Sequence, residues 1–325
     1  MFKNIIQNFV NESLKDLSPF LCSHWEIDHV CYRTDSHENY RYIQNIFSEV
    51  GILLGETIVG GRPIACFELH QPILTSHGLV SLVEVPAPKP GRHYDSGLEH
   101  LEVVVDCTFD AFLEKFPDLE WNTRATNKIF NPEIEAKFSN FNVKFHHHAL
   151  NHIIELEKST ALDFLPKLQN FAKYSPQIAG TIPLGIAVQG SDLDVLMQAF
   201  DFDELAKDIL AYFPDAKITS NTEMLTANFH YGALPVEIYA ENLVPLEQKA
   251  YRHLRIEGRL IKLLGHKFKN NVIKLKQTGL KTEPAFGKIL NLSSPYEELL
   301  ELYWLSDVAL LERLNPLFLQ GRQNI

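Results

Sequence analysis

The chain has 325 residues, 45% hydrophobic and 22% charged, with a formal net charge of −11. That length and composition suggest a soluble globular protein of two domains, roughly 150 residues each, and argue against a disordered chain. No apolar run approaches the ~18 residues of a spanning helix, and Lys3, Asn4, Gln7 and Asn8 break up the start where a signal peptide would be apolar, so the expectation is a cytoplasmic protein with no membrane partner.

Ile5, Ile6, Phe9, Val10, Leu14 and Leu17 recur at helical spacing and predict an amphipathic helix ending at Ser18-Pro19. From Ile27 to His148, short alternating or apolar runs predict strands at 28–33, 56–59, 65–69, 78–85, 99–105 and 142–147, with helices at 38–50 and 110–116. This is a βαβββ unit written twice, each copy opened by an acidic-His-aliphatic triplet, Asp28-His29-Val30 and Glu99-His100-Leu101. The four cysteines, Cys22, Cys31, Cys66 and Cys107, form no C-x-x-C pair, which argues for buried reduced thiols over a disulfide framework or zinc ribbon. A helix at 150–157 closes this part, and Ser159-Thr160 with Asp163 reads as the cap of a helix at 162–174, giving domains 1–157 and 158–325. Strands at 177–181, 192–197, 226–231 and 235–240 and a helix at 202–212 follow. From Leu246 the pattern is helical, interrupted at Gly265, Gly279, Pro284 and Pro295. The fold class expected is α+β, with paired βαβββ modules joined to an α/β domain that ends in helices.

In the second half, Gly190-Ser191-Asp192-Leu193-Asp194-Val195 sets two carboxylates on one face of an apolar strand just beyond a polar loop. Adjacent like charges call for a cation, and Mg2+ takes hard oxygen ligands together with substrate phosphates. Glu237, between Val236 and Ile238, offers a third carboxylate if its strand lies beside the first. Between Lys249 and Lys288 eleven Lys/Arg face two acids, a local balance of +9, so the rest of the chain carries −20. Arg252, Arg255, Arg259 and Lys262 share a helical face expected to look outward or into a cleft, opposite Ala250, Leu254, Leu260, Ile261 and Leu264.

These residues resemble the nucleotidyltransferase superfamily that includes the DNA polymerase beta-like enzymes: Gly180-Thr181, then Gly190-Ser191-Asp192-Leu193-Asp194, then Glu237. With Tyr251-Arg252-His253 and Lys281-Thr282-Glu283-Pro284-Ala285-Phe286 added, the second half is similar to an uncharacterised bacterial domain-of-unknown-function family assigned to that fold. The resemblance implies Asp192 and Asp194 as Mg2+ ligands and Glu237 as third ligand or base. It also implies Gly180, Thr181 and Ser191 as a phosphate cradle, with Arg252, Arg255 and Lys281 as clamps. Two departures stand out. Ile182-Pro183-Leu184-Gly185 replaces the Arg-rich loop, and the third acid is Glu where Asp is commoner.

In the first half, His29 and His100 occupy equivalent places in the two copies, and the closing strands add Glu84 and His146. Such a set suits Zn, Fe(II), Mn or Ni. Asp28-His29-Val30-Cys31-Tyr32-Arg33, Gly61-Arg62-Pro63-Ile64, Val83-Glu84-Val85-Pro86, Gly97-Leu98-Glu99-His100-Leu101-Glu102 and Val143-Lys144-Phe145-His146 resemble the YecM-like branch of the vicinal-oxygen-chelate superfamily. Its paired modules cup a metal that chelates neighbouring substrate oxygens. The expectation is therefore a nucleoside triphosphate with Mg2+ in the second domain and nucleotidyl transfer to an unknown acceptor, a polynucleotide ranking below a nucleotide. The alternatives are a metal-dependent isomerase or dioxygenase on a small-molecule substrate in the first domain, and a non-catalytic ligand-sensing or partner-binding module.

Overall fold

The structure is a computed structural model and describes residues 2–128 and 131–321. The chain divides into two compact units, Met1–Leu150 with Ser306–Ala309, and Asn151–Leu305 with Leu310–Ile325. Among the described residues no helix is long and apolar enough to cross a membrane.

The first unit opens with helix α1 (Phe2–Leu17), whose Ile6, Val10, Leu14 and Leu17 are buried at the spacing that makes one face. Its two modules are β1 (Glu26–Arg33), α2 (His37–Val50), β2 (Gly51–Val59), β3 (Arg62–Thr75) and β4 (Gly78–Pro86), then β5 (Gly97–Val104), α3 (Phe109–Lys115), β6 (Glu120–Asn122), β7 (Glu133–Lys137) and β8 (Asn142–His146). They form one eight-stranded sheet in the order β2-β3-β4-β1-β5-β8-β7-β6. In each module the first and last strands pair in parallel, β1 with β4 and β5 with β8, and the modules join by antiparallel pairing of β1 with β5. The duplicated βαβββ unit expected from the triplets is thus present. Sequence pattern misses β6 and β7, a three-residue edge strand and a Glu-Ile-Glu-Ala-Lys run with few apolar residues to carry the alternation.

One sheet face packs under the helices: Val30, Phe67, Val83, Leu101, Val103, Val143 and Phe145 join Ile43, Phe47 and Phe112 in the core. Because side chains alternate, the residues between them, His29, Cys31, Glu84, His100, Glu102, Lys144 and His146, point to the opposite face. Apolar packing on one side therefore holds titratable groups in register on the other.

After α4 (Leu150–Glu157) the second unit contains β9 (Gln177–Ala179), β10 (Leu193–Gln198), α5 (Phe202–Tyr212), β11 (Lys217–Ser220), β12 (Met224–Tyr231) and β13 (Leu234–Glu241), a five-stranded sheet ordered β11-β12-β13-β10-β9. Segments 160–163 and 165–174 are 3-10 helices, not the expected α-helix. Segment 165–174 is itself kinked at Phe171, whose φ of −113° and ψ of 17° are not helical, and its Leu165, Leu168, Phe171 and Tyr174 are buried at intervals of three, a spacing that suits short 3-10 turns.

The helical end comprises α6 (Lys249–Gln277), α7 (Thr282–Leu290), α8 (Pro295–Tyr303) and α9 (Asp307–Gly321). Helix α6 is broken at Gly265, whose φ of 76° is open to glycine at little cost. The basic stripe does not run along an open face, since Arg255 and Arg259 are 2% and 1% exposed. Arg259 donates through Nη1 to the Tyr303 carbonyl at 2.9 Å and through Nη2 to the Leu305 carbonyl at 2.6 Å. These carbonyls lie at and just beyond the C-terminus of α8, where helical carbonyls lack partners and the dipole favours a cation. Arg259→Met, which keeps the stem and removes the fork, is expected to lower unfolding free energy by about 3 kcal/mol in denaturant titration, the worth of charged hydrogen bonds to carbonyls left unpaired.

Candidate functional site

In the first unit, β1 and β5 pair so that His29 lies opposite Glu102 and Cys31 opposite His100. This is the local twofold relation that the repeated triplets imply, and both histidines converge on one oxygen: Glu102 Oε1 is 3.5 Å from His29 Nε2 and 3.2 Å from His100 Nε2. Glu102 is the hub, and the sequence reading omitted it although its position two residues past His100 puts it on the same face. Asp28 also enters. A register irregularity between Ile27 and His29 frees it from strict alternation, and its Oδ2 accepts from His29 Nδ1–H at 2.9 Å and from the Leu150 N–H at 2.8 Å.

His29 and His146 share a pattern. Each is fixed through Nδ1, His29 by Asp28 and His146 by the His148 carbonyl at 2.5 Å. Each then presents a buried Nε2 that has no hydrogen-bond partner. His146 Nε2 stands 3.4 Å from Glu102 Oε2 and 3.6 Å from Asp28 Oδ2. An imidazole oriented by an acceptor at one nitrogen and open toward carboxylates at the other is the outer-shell arrangement of a metal ligand. One ligand atom from each of Asp28, His29 and His146 lies within 4.8 Å of the others, and the same holds for His29, Glu84 and Glu102.

His100 meets carboxylates at both nitrogens, Glu99 at 3.1 Å and Glu102 at 3.2 Å, and one ligand atom from each of Cys31, Glu99 and His100 lies within 4.8 Å of the others. The counterpart of Glu84 in the second module is Lys144, not His146, because β4 sets Glu84 opposite Cys31 as β8 sets Lys144 opposite Glu102. Its ammonium donates to Glu102 Oε1 at 2.7 Å. A lysine thus fills the place where a symmetric site would have its fourth ligand. Burial alone would depress the His29 imidazole, but Glu102 and Asp28 outweigh it and push it up to about 10. Burial likewise opposes charge on Glu102, yet Lys144 and His29 hold its carboxyl well below the usual range.

In the second unit, β10 pairs in parallel with β13, and Asp194 lies directly opposite Glu237. Asp192, just before the start of β10, is near enough to raise Asp194 electrostatically. On the other flank Asp194 lies opposite Ala179, which leads into Gly180. Gly180 has φ of 72°, and a Cβ there would stand 1.6 Å from Asp194 Oδ2, so the backbone approaches that carboxylate as only glycine permits. The three acids feel one another: burial, then Asp192 and Glu237, push the Asp194 carboxyl up to about 7. Glu237 is raised by burial and by Asp192. Three hard-oxygen donors under mutual repulsion, with a glycine clearing space beside one of them, fit Mg2+.

The remaining expected residues divide. Thr181 accepts at its carbonyl from Ile186 N–H at 3.2 Å, closing the loop after Gly180. The Ser191 hydroxyl accepts from Val188 N–H at 2.9 Å and keeps its own hydrogen to donate. A cleft of about 510 Å3 opens beside this loop, bounded by Lys158, Thr160, Gly185, Gly190, Ser191 and Pro235. Lys281 is near enough to pull Glu237 down electrostatically. Arg252 lies over the Trp304 ring at 5.1 Å, and Arg255 is enclosed with Nη1 3.5 Å from the Tyr251 hydroxyl. The cation that sequence reading passed over is Lys276, 7% exposed and drawn to Asp194 and Asp192 as well as to Glu257 and Glu283.

Residues 1–157 match the family model described as YecM protein, and residues 160–302 match a domain of unknown function, DUF4269. A Haemophilus influenzae protein described as uncharacterized is 29% identical over 147 residues, 42% of this chain and 72% of its own length. Protein YecM of Escherichia coli is 26% identical over 147 residues, 41% of this chain and 78% of its own. Among solved structures, one titled protein EC4020 is 24% identical, covering 46% of this chain and 90% of its own, with a TM-score of 0.39. A cytoplasmic RNA terminal U-transferase is 19% identical over 44% of this chain and 42% of its own, with a TM-score of 0.31.

An acid whose folded pKa is raised binds more protons folded than unfolded between its two pKa values, so stability falls as pH rises through that window. For Asp194 the window runs from its ordinary value of 3.8 to about 7. In chelator, Asp194→Asn is expected to melt close to wild type near the bottom of that window and several degrees above it at pH 8, read by thermal unfolding across pH.

Proposed function

We propose that this chain, whose first half matches the YecM family model and whose second half matches the DUF4269 model, binds a nucleoside triphosphate with Mg2+ in the second half and transfers its nucleotidyl group to an acceptor hydroxyl. The observation that carries this reading is the parallel register of Asp194 with Glu237, with Asp192 near enough to raise Asp194 and Gly180 closed against Asp194. Asp192, Asp194 and Glu237 would hold the ion, which when bound neutralises the polyphosphate and acidifies the acceptor hydroxyl. The loop at Gly180-Thr181 and the Ser191 hydroxyl orient phosphate oxygens. Positive charge comes from Lys281 and Lys276 in preference to Arg252 and Arg255, which are committed to Trp304 and to the interior. Glu237, whose carboxyl is raised by burial and by Asp192, takes the acceptor's proton as the acceptor oxygen bonds to the α-phosphorus and pyrophosphate departs. The cleft beside Gly190 and Ser191 is assigned to base or acceptor.

The test is thermal unfolding of the full chain with each triphosphate, with and without Mg2+. A ligand at about 100 times its Kd stabilises by roughly 2.7 kcal/mol. A Mg2+-dependent rise is expected in wild type and not in Asp192→Asn/Asp194→Asn. No rise with any triphosphate, or an equal rise in the double variant, overturns the reading.

A second reading is supported by the open Nε2 atoms of His29 and His146. In it the first half binds a first-row divalent metal through His29, His146, Asp28 and Glu102, with Glu84 near, and acts on a small molecule with neighbouring oxygens. The metal would supply Lewis acidity to those oxygens, while Lys144 neutralises Glu102 and steers an anionic substrate. Elemental analysis after purification without chelator is expected to find bound metal, with roughly 10- to 100-fold weaker retention in His29→Ala and Glu102→Gln. Equal metal in these variants and wild type counts against this site.

A further inference from the structure

Helix α6 carries another group of ligating side chains that neither reading uses. His253 and Glu257 are four residues apart on α6, so they share a face, and Glu283 stands in the first turn of α7. One ligand atom from each lies within 4.8 Å of the other two. His253 and Glu257 are 9% and 3% exposed, and His253 Nδ1 and Glu257 Oε1 are buried with no hydrogen-bond partner. The Tyr296 ring packs edge-on against the His253 imidazole, centroids 6.2 Å apart, and fixes its plane. Buried carboxylate oxygens and imidazole nitrogens are seldom left without partners; the Tyr296 hydroxyl serves Glu283, and the atoms left open are His253 Nδ1 and Glu257 Oε1.

Local charge is also short. Lys276 is the cation drawn to Glu257 and Glu283, and the same ammonium serves Asp192 and Asp194. One ammonium is thus shared among several carboxyls in a place where charge is costly, and burial, then Glu283, push the Glu257 carboxyl well up from its usual value.

We propose that His253, Glu257 and Glu283 bind a first-row divalent cation, separate from the Mg2+ of Asp192, Asp194 and Glu237. One nitrogen and two carboxylate oxygens form a donor set of intermediate hardness that suits Zn2+ or Mn2+ over Ca2+, which prefers oxygen alone. Such an ion satisfies Glu257 and Glu283 and leaves Lys276 to Asp192 and Asp194. Its occupancy therefore sets how much positive charge the carboxylate strand pair meets. The idea does not depend on nucleotide binding, nor on metal in the first half.

The experiment is metal stoichiometry on the full chain, loaded with Zn2+ or Mn2+ and desalted, with Co2+ d–d absorption as a spectroscopic readout. Glu283→Gln is the leading variant, since Glu283 is partly exposed at a helix start and its amide keeps the shape. Glu257→Gln and His253→Gln support it, and the melting temperature in chelator checks that each folds. Glu283→Gln is expected to lose about one equivalent of metal per chain and the corresponding Co2+ bands, in wild-type and His29→Ala backgrounds alike. Unchanged stoichiometry and Co2+ spectrum in Glu283→Gln and Glu257→Gln overturn the proposal. So does loss of that equivalent in Asp192→Asn/Asp194→Asn with Glu283→Gln unaffected, because the ion then belongs to the other carboxylates.

Discussion

The antiparallel pairing of β1 with β5 joins the two modules of the first unit, and its register decides which side chains face each other across the joint. Shifting a strand by one residue would turn every inward side chain outward, and here apolar packing on the helix side forbids that. Val30, Leu101 and Val103 are fully buried among the helices, so His29, Cys31, His100 and Glu102 have to share the other face. Core packing thus presents the polar cluster, at the register that brings Glu102 between two histidines.

The second unit uses the same device with parallel strands. Val195 and Ile238 are wholly buried, which fixes β10 against β13 and leaves Asp194 beside Glu237 on the opposite face. In both units carboxylates are drawn together against their own repulsion, and the surrounding cations differ. Glu102 has Lys144 in direct contact, so its charge is already balanced. Asp194 shares the influence of Lys276 with other carboxyls and feels Asp192, Glu237 and Glu283, and burial with these acids pushes its carboxyl up to about 7. Charge at Glu102 is thus balanced within an internal network, whereas at Asp194 burial and neighbouring acids are less fully offset.

The arginines of α6 show where local reasoning reaches its limit. Helical spacing correctly groups Arg252, Arg255, Arg259 and Lys262 on one face, but charge alone suggested that the face is open. Arg259 instead spends its guanidinium on the carbonyls at the end of α8, and Arg252 rests on Trp304. An arginine in a helix looks the same in sequence whether its partner is a phosphate or a carbonyl more than forty positions away. His253 and Glu257 were equally hard to see, since their third partner, Glu283, comes from another helix.

The sequence by itself determined the repeated βαβββ units, through triplets and alternation that any strand must show, and the Asp192-x-Asp194 pair, because two positions of chain cannot carry the carboxylates far apart. It also determined the break at Gly265. Tertiary structure decided that Glu237 stands beside Asp194, that Lys144 and not His146 mirrors Glu84, that Glu102 is the hub of the histidine cluster, and that Arg255 and Arg259 are interior. Each of these depends on pairing between segments far apart in the chain, where register is set by the fit of the apolar face, and no local periodicity encodes that fit.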